Sequence, residues 1–178
     1  MDDDALLRLV SQLGEALKAR SLTLALAESC TGGMASQYVT AIAGSSAWFD
    51  RGFVTYSNTA KQEMLDVKEL TLTQYGAVSE QTAHEMALGA LQHSKAKIAA
   101  SITGIAGPSG GTESKPVGTV CFGFALKIKP VKNQTSNQTN TQVITQTMHF
   151  SGNRDAIRRQ SVAHALETLI TLTLSLDL

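Results

Sequence analysis

Five apolar segments with strand character run through this 178-residue chain, and helical patterns separate the first three. The segments are 22–28, 48–57, 98–103, 119–128 and 141–150. Strands that alternate with helices pair in parallel and are covered by helices on both faces. The last two segments have no helix between them, which predicts an antiparallel hairpin. The pattern therefore predicts an α/β fold, a three-layer α/β/α sandwich with a mixed, mostly parallel sheet of about five strands.

Apolar residues at helical spacing predict the helices around these strands. The predicted helices are centred on Leu6–Leu17 and cover about 31–42, 58–67, 80–94 and 154–172, with Asn58, Ser79 and Asn153 as N-caps. The length suits a single domain over residues 1–178. Residues 127–142 include an Asn-, Gln- and Thr-rich stretch, which predicts a polar hairpin loop.

Charge and composition exclude several classes of protein. Fifteen basic residues balance fifteen acidic ones, which argues against a broad nucleic-acid-binding face. The two cysteines, Cys30 and Cys121, are too few for a disulfide scaffold and indicate reduced thiols. The acidic N-terminus lacks the features of a signal peptide, and no apolar run reaches the ~18 residues that span a bilayer. We therefore expect a soluble, cytoplasmic protein that binds neither nucleic acid nor membrane.

Three loops follow the predicted parallel strands, and all are rich in small and hydroxylated residues. Their sequences are "ESCTGG", "YSNTAK" and "TGIAGPSGG". Ligands of open α/β sheets bind at the carboxyl ends of the parallel strands. The coincidence predicts a shared site, although the order of the strands is open at this point.

The "ESCTGG" loop places Ser29 at a strand end, directly before a predicted helix. The N–H groups of Thr31, Gly32 and Gly33 would then point out of the helix start, where the helix dipole favours an anion. In the alternative interpretation, Ser29 or Thr31 simply caps the helix and the glycines allow tight packing. The loop matches neither a Walker motif nor a dinucleotide-binding fingerprint.

A serine nucleophile needs a base, and Lys61 is the best candidate. The histidines have neither a suitable place nor metal-ligand spacing; they are His84, His93, His149 and His164. Lys61 falls in the first turn of a predicted helix, close to Tyr56 at the end of a strand. The helix dipole and desolvation would lower the pKa of its amine and make it available as a base. An ordinary exposed lysine is the alternative.

Two further segments suit a polar ligand. The loop from Thr103 to Gly111 is dense in small residues, which is typical of backbone donors around a ligand but also of a wide turn. Arg154 and Arg158 lie one turn apart near the start of the last helix. A cation at a helix start is unfavourable for the helix dipole unless an anion binds there. Bidentate arginine suits phosphate, whereas Asp155 offers a local alternative partner.

Several motifs together resemble the CinA C-terminal-domain family, from about Ala5 to Leu169. They are "AESCTGG", "GSSAWFDRGFVTYSNTAK", "GAVSE", "TGIAGPSGG…KPVGTV" and "FSGNRDAIRRQS", in this order. Stand-alone members of that family include bacterial nicotinamide mononucleotide deamidases. The resemblance implies an α/β/α fold, a homo-oligomer of at least two chains, and hydrolysis of the carboxamide of nicotinamide mononucleotide. It implies no metal or other cofactor. Larger family members carry another domain, whose activities are not expected of this chain.

The resemblance assigns roles residue by residue. Ser29 resembles the nucleophile, Lys61 the base and Tyr56 its polar neighbour. The implied substrate-binding residues are Cys30, Thr31, Gly32, Gly33, Ser46, Thr103, Gly104, Ala106, Gly107, Pro108, Arg154 and Arg158. Asn153 stands where the family often has Asp, and the polar stretch near 133–140 is longer than the resemblance leads us to expect.

Two other functions stay open on the sequence. One is a non-catalytic nucleotide-binding module in which Lys61 is structural. The other is a cysteine amidase that uses Cys30. Neighbours along a strand end face opposite ways, so Ser29 and Cys30 are not expected to address one pocket.

Overall fold

A computed structural model describes residues 2–128 and 140–176. The strands are β1 (Leu24–Glu28), β2 (Phe49–Val54), β3 (Ile98–Gly104), β4 (Thr119–Ile128) and β5 (Asn140–His149). The helices are α1 (Asp3–Ala19), α2 (Met34–Thr40), α3 (Asn58–Leu65), α4 (Glu69–Tyr75), α5 (Glu80–Gln92) and α6 (Arg154–Ser175), with a 3₁₀ turn at Ser45–Ala47.

The strands form one sheet in the order β2-β1-β3-β4-β5. Strands β2, β1 and β3 are parallel, whereas β4 runs antiparallel to β3 and β5 antiparallel to β4. The predicted mixed, mostly parallel sheet and the closing hairpin are therefore confirmed. Because β1 lies between β2 and β3, the chain leaves it at the point where the strand order reverses.

The two faces of the sheet are covered by different helices, as the alternation of side chains in β1 shows. Leu24 and Leu26 pack into the cluster that also holds residues of α1, α2 and α6, while Ala25 and Ala27 join the cluster of α3, α4 and α5. The second face is lined by small residues, which lets α5 come close: a Cβ at Gly123 would lie 2.3 Å from the Ala83 carbonyl oxygen. The predicted three layers are confirmed.

Some predicted boundaries are wrong. Helix α2 begins at Met34 rather than Thr31, and Ser57, not Asn58, caps α3 by accepting a hydrogen bond from the Ala60 N–H. The short helix α4 was not predicted, because its seven residues are too few for a clear helical period. Ser79 and Asn153 cap their helices as predicted.

The predicted polar loop 127–142 is also too long at both ends. Strand β4 continues to Ile128 and β5 begins at Asn140, where these two residues pair. The rest of that loop, 129–139, lies outside the described residues. Among the described helices, none has the length and apolar character needed to cross a membrane.

Candidate active site

The loops after β1, β2 and β3 meet at the same edge of the sheet, because the three strands are parallel neighbours. They enclose a cavity of about 270 Å³ together with the segment before α5 and the start of α6. Its lining residues are Ser29, Cys30, Tyr56, Lys61, Ala77, Val78, Thr103, Gly104, Ala106 and Arg154. The strand order thus brings the three predicted loops together.

Lys61 lies in the first turn of α3 with its side chain turned into the protein, where only 1% of its surface is exposed. Its Nζ lies 2.9 Å from Ser29 Oγ and donates a 2.8 Å hydrogen bond to the Thr55 carbonyl oxygen. Both partners are neutral oxygens, and among the described residues no carboxylate pairs with this amine. Burial therefore lowers the pKa of the Lys61 amine from 10.5 to about 8. The alternative of an ordinary exposed lysine is excluded.

The turn after β1 is organised by the buried carboxylate of Glu28. Its two oxygens accept hydrogen bonds from the N–H groups of Gly33, Ala35 and Ser36 and from the Ser36 hydroxyl, at 2.7 to 3.0 Å. This carboxylate occupies the positive end of α2, which explains why the helix starts at Met34. Of the three N–H groups predicted to face an anion, the one of Gly33 is therefore already held by the chain's own carboxylate.

Two N–H groups in this turn remain available. The Gly32 N–H donates to the Ser29 carbonyl oxygen at 3.1 Å, and the Gly33 N–H is held by Glu28. Within residues 2–128 and 140–176, the N–H groups of Cys30 and Thr31 donate to no other residue. These two groups can serve as hydrogen-bond donors to a negative charge that develops beside Ser29.

Cys30 lines the cavity together with Ser29, so the expectation that the two could not share one pocket is wrong. The thiol is nevertheless a poor nucleophile here. Burial raises the pKa of the Cys30 thiol to about 12, so the thiolate is scarce at neutral pH. This argues against the cysteine amidase.

The loop after β3 forms one wall of the cavity. The Thr103 hydroxyl donates to the Ala77 carbonyl oxygen at 2.7 Å, which ties this loop to the segment before α5. A Cβ at Gly104 would lie 2.9 Å from the Thr119 carbonyl oxygen, so a side chain would not fit without a shift. Gly107 and Pro108, by contrast, are not lining residues of the cavity.

Arg154 and Arg158 differ in their surroundings. Arg154 is exposed at the mouth of the cavity and donates to the Gly107 carbonyl oxygen at 2.7 Å and to the Tyr56 hydroxyl at 3.2 Å. Arg158 instead donates to the Thr31 carbonyl oxygen at 2.7 Å and does not line the cavity. Sequence reasoning treated the two as equivalent, which the geometry does not support.

Ser46 does not join this cluster. It is exposed in the 3₁₀ turn that precedes β2, next to the amino ends of the parallel strands. Ser29 lies at their carboxyl ends, on the opposite edge of the sheet. Within one chain, Ser46 therefore has no contact with the cavity.

Three residues of the site were not assigned from the sequence: Thr55, Ala77 and Val78. Thr55 contributes through its main-chain carbonyl, which no side-chain pattern reveals. Ala77 and Val78 belong to "GAVSE", which carried family resemblance but no chemical group to single out. In the described part of the chain, no group of three His, Cys, Asp or Glu side chains is arranged to hold a metal ion.

The family model that describes the CinA C-terminal domain matches residues 7–173. The chain belongs to the CinA C-terminal domain family. It is 54% identical over 169 residues to the nicotinamide-nucleotide amidohydrolase PncC of Escherichia coli, a match that covers 95% of each protein. A relative with the same name from Pseudomonas putida is 39% identical and is covered to 98%.

Among solved structures, the competence/damage inducible protein CihA of Agrobacterium tumefaciens is 42% identical to this CinA-family chain. The two superimpose with a TM-score of 0.83 over 97% of this chain and 96% of the other. The names of the relatives thus refer both to an amidohydrolase and to competence or damage induction.

Proposed function

We propose that this chain hydrolyses the carboxamide of nicotinamide mononucleotide to nicotinate mononucleotide and ammonia, within pyridine nucleotide (NAD) salvage. The observation that carries the proposal is the 2.9 Å contact between Lys61 Nζ and Ser29 Oγ at the cavity. A buried amine whose pKa is lowered to about 8 suits a general base near neutral pH. Relatives over nearly the full chain are named nicotinamide-nucleotide amidohydrolase.

In the proposed acylation step, the neutral Lys61 amine takes the hydroxyl proton of Ser29 as Ser29 Oγ attacks the carboxamide carbon. The N–H groups of Cys30 and Thr31 stabilise the oxyanion of the tetrahedral intermediate. Lys61 then gives its proton to the amide nitrogen, the C–N bond breaks, and ammonia leaves. Ser29 is now esterified by the nicotinate part of the substrate.

Deacylation repeats the same proton transfers with water as the nucleophile. Lys61 takes a proton from the water that attacks the ester carbon, and the C–O bond to Ser29 breaks. The proton returns to Ser29 Oγ, and the carboxylic acid product loses its remaining proton to solvent and leaves as the carboxylate. The chemistry requires only a nucleophile, a base and oxyanion donors, so we propose that no cofactor takes part.

The rest of the substrate extends towards the mouth of the cavity. A cavity of about 270 Å³ suits the nicotinamide ring, while the phosphate reaches the exposed guanidinium of Arg154. The ring and its amide are then enclosed, and the charged end stays near solvent. The family resemblance leads us to propose also that the protein is a homodimer, and the expectation that both cysteines are reduced leads us to propose that it is cytoplasmic.

Ammonia release from purified protein tests the proposal. Nicotinamide, its riboside, its mononucleotide and the dinucleotide are compared, and the mononucleotide should be the best substrate.

Ser29→Ala and Lys61→Ala should each abolish most turnover, and the double variant should lose little more because the two residues act as one unit. Lys61→Arg should also fail, because a guanidinium stays protonated. Lys68→Ala, at a side chain that is 76% exposed, is the matched control.

Ser29→Cys offers a direct view of the intermediate, since an acyl-enzyme that is slow to hydrolyse appears as a mass increase. A Ser29→Ala protein that deamidates at nearly the wild-type rate would end the nucleophile assignment. Tight binding of the mononucleotide by wild-type protein without turnover would favour the non-catalytic nucleotide-binding module.

Arg154→Ala tests the placement of the phosphate. The KM for the mononucleotide should rise about ten- to a hundredfold, because a charge-assisted hydrogen bond is worth roughly 1.5–3 kcal/mol. The KM for the riboside, which has no phosphate, should change much less. Equal losses on both substrates would contradict this placement.

A further inference from the structure

Arg158 lies beside the turn that follows Ser29 (residues 29–33) but does not line the cavity. Its Nη2 donates to the Thr31 carbonyl oxygen at 2.7 Å, and a Cβ built on Gly32 would lie 3.8 Å from the same nitrogen. The Nε of Arg158 is buried and has no hydrogen-bond partner in the described part of the chain. The Nη2 of Arg158 is thus already engaged by the main chain of the turn.

The peptide group between Thr31 and Gly32 is fixed at both ends. Its carbonyl oxygen accepts from Arg158 and also from the Met34 N–H at 3.1 Å, and its N–H donates to the Ser29 carbonyl oxygen. Gly32 has φ +58°, a left-handed conformation that favours glycine. The Cys30 N–H belongs to the same peptide group as the Ser29 carbonyl oxygen that accepts from Gly32, and the Thr31 N–H lies in the next peptide group; neither donates to another residue within 2–128 and 140–176.

The charge of Arg158 acts on the same place. Burial dominates the raised pKa of the Cys30 thiol and the Glu28 carboxylate adds to it, whereas the Arg158 and Lys61 cations oppose it. The guanidinium therefore offsets part of the effect of the Glu28 carboxylate at this turn, where an oxyanion beside Ser29 would carry negative charge.

We propose that Arg158 is a positioning residue: its hydrogen bond to the Thr31 carbonyl fixes the turn whose N–H groups stabilise the oxyanion. The part that concerns the oxyanion depends on the proposed amidase function. Arg158 is then not a ligand of the substrate phosphate, although it lies one helical turn from Arg154 in α6.

Arg154 provides the matched control, since both side chains are arginines of the same helix with different contacts. Arg158→Met and Arg154→Met are compared with wild type on the mononucleotide and the riboside. Arg158→Met should lower kcat roughly ten- to a hundredfold on both substrates with KM nearly unchanged, because loosened oxyanion donors act in the transition state. Arg158→Lys keeps a charged donor, and its kcat should lie between those of wild type and Arg158→Met. The midpoint of the pH profile of activity should be the same as in wild type, because Arg158 does not contact Lys61.

Amide hydrogen exchange measures the turn independently of catalysis. A peptide spanning 29–36 should take up deuterium faster in Arg158→Met than in wild type, whereas Arg154→Met should leave it unchanged. If Arg158→Met is poorly folded, the same comparison is made with Arg158→Lys.

The outcomes separate this inference from the proposed function. If wild type releases no ammonia, the amidase proposal fails, and hydrogen exchange alone decides whether Arg158 holds the turn. A rise in KM confined to the mononucleotide would make Arg158 a phosphate ligand and overturn the inference. Unchanged kcat or unchanged exchange in Arg158→Met would overturn it as well.

Discussion

At the scale of single residues, the chemistry of the site depends on how Lys61 is buried. The sequence predicted a lysine in the first turn of a helix, with the helix dipole and desolvation as causes of a lowered pKa. In the structure the dominant cause is burial, because the hydrogen-bond partners of the amine in the described part of the chain are the neutral oxygens of Ser29 and Thr55. Those partners come from two other strand ends, which no local pattern around Lys61 could show.

The pH dependence of activity follows from this environment. Lys61 acts as a base only when neutral, so kcat/KM should rise about tenfold per pH unit and level off above the pKa of about 8. The riboside should be used alongside the mononucleotide, because the second ionisation of a phosphate falls near ~6 and could be mistaken for the enzyme's. A rise of kcat/KM centred at pH ~6 with the riboside as substrate would indicate a base other than Lys61.

The same burial should make Lys61 destabilising, that is, it should lower the free energy of unfolding. The pKa in the folded state lies below the unfolded value, so the penalty is fully present below pH of about 8 and disappears above about 10.5. Lys61→Met should therefore raise the free energy of unfolding near neutral pH, by on the order of 3 kcal/mol. The gain should vanish at high pH. Chemical denaturation of this variant and of the exposed-site control Lys18→Met measures the effect, and a destabilised Lys61→Met at neutral pH would contradict it.

At the scale of secondary-structure elements, Glu28 shows where sequence reasoning stopped. Residues 31–33 have the composition of a helix start that binds an anion, yet the anion comes from the chain itself. A glutamate that ends a buried strand gave no sign that it would turn back to cap the next helix. The strands and most caps were predictable from apolar periodicity, since each such signal is local.

Glu28→Gln tests this internal cap. An amide has one oxygen instead of two, so its NH₂ group would face N–H donors in a buried place. We expect a loss of roughly 2–4 kcal/mol in the free energy of unfolding, because hydrogen bonds to a charged group are lost and a buried donor is left unsatisfied. Urea denaturation measures the loss, with Glu63→Gln on the exposed side of α3 as control. Equal stability of Glu28→Gln and wild type would mean that the carboxylate is not needed to hold α2.

At the scale of the whole molecule, the strand order decides which predicted residues can meet. Placing β1 between β2 and β3 brings Ser29, Lys61 and Thr103 to one edge and leaves Ser46 at the other. Sequence motifs alone do not show whether a residue lies at the amino or at the carboxyl ends of the strands. The parallel pairing supplied the general location, and only the fold separated Ser46 from the rest.

The polar stretch after β4 should be dispensable for catalysis in one chain. The described ends of the hairpin, Ile128 and Asn140, pair with each other, whereas Val120 of β4 pairs with Gly104 beside the cavity. Eight residue steps along β4 place Val120 and Ile128 roughly 25 Å apart. Replacing 131–139 by a short glycine-containing turn should leave kcat, KM and the unfolding free energy close to wild type, because loop length has a small entropic effect. Ammonia release and urea denaturation of this variant make the test, together with its mass in solution. Activity lost along with a smaller assembly would show that the segment contacts a second chain, and activity lost at unchanged mass would show that it reaches the site.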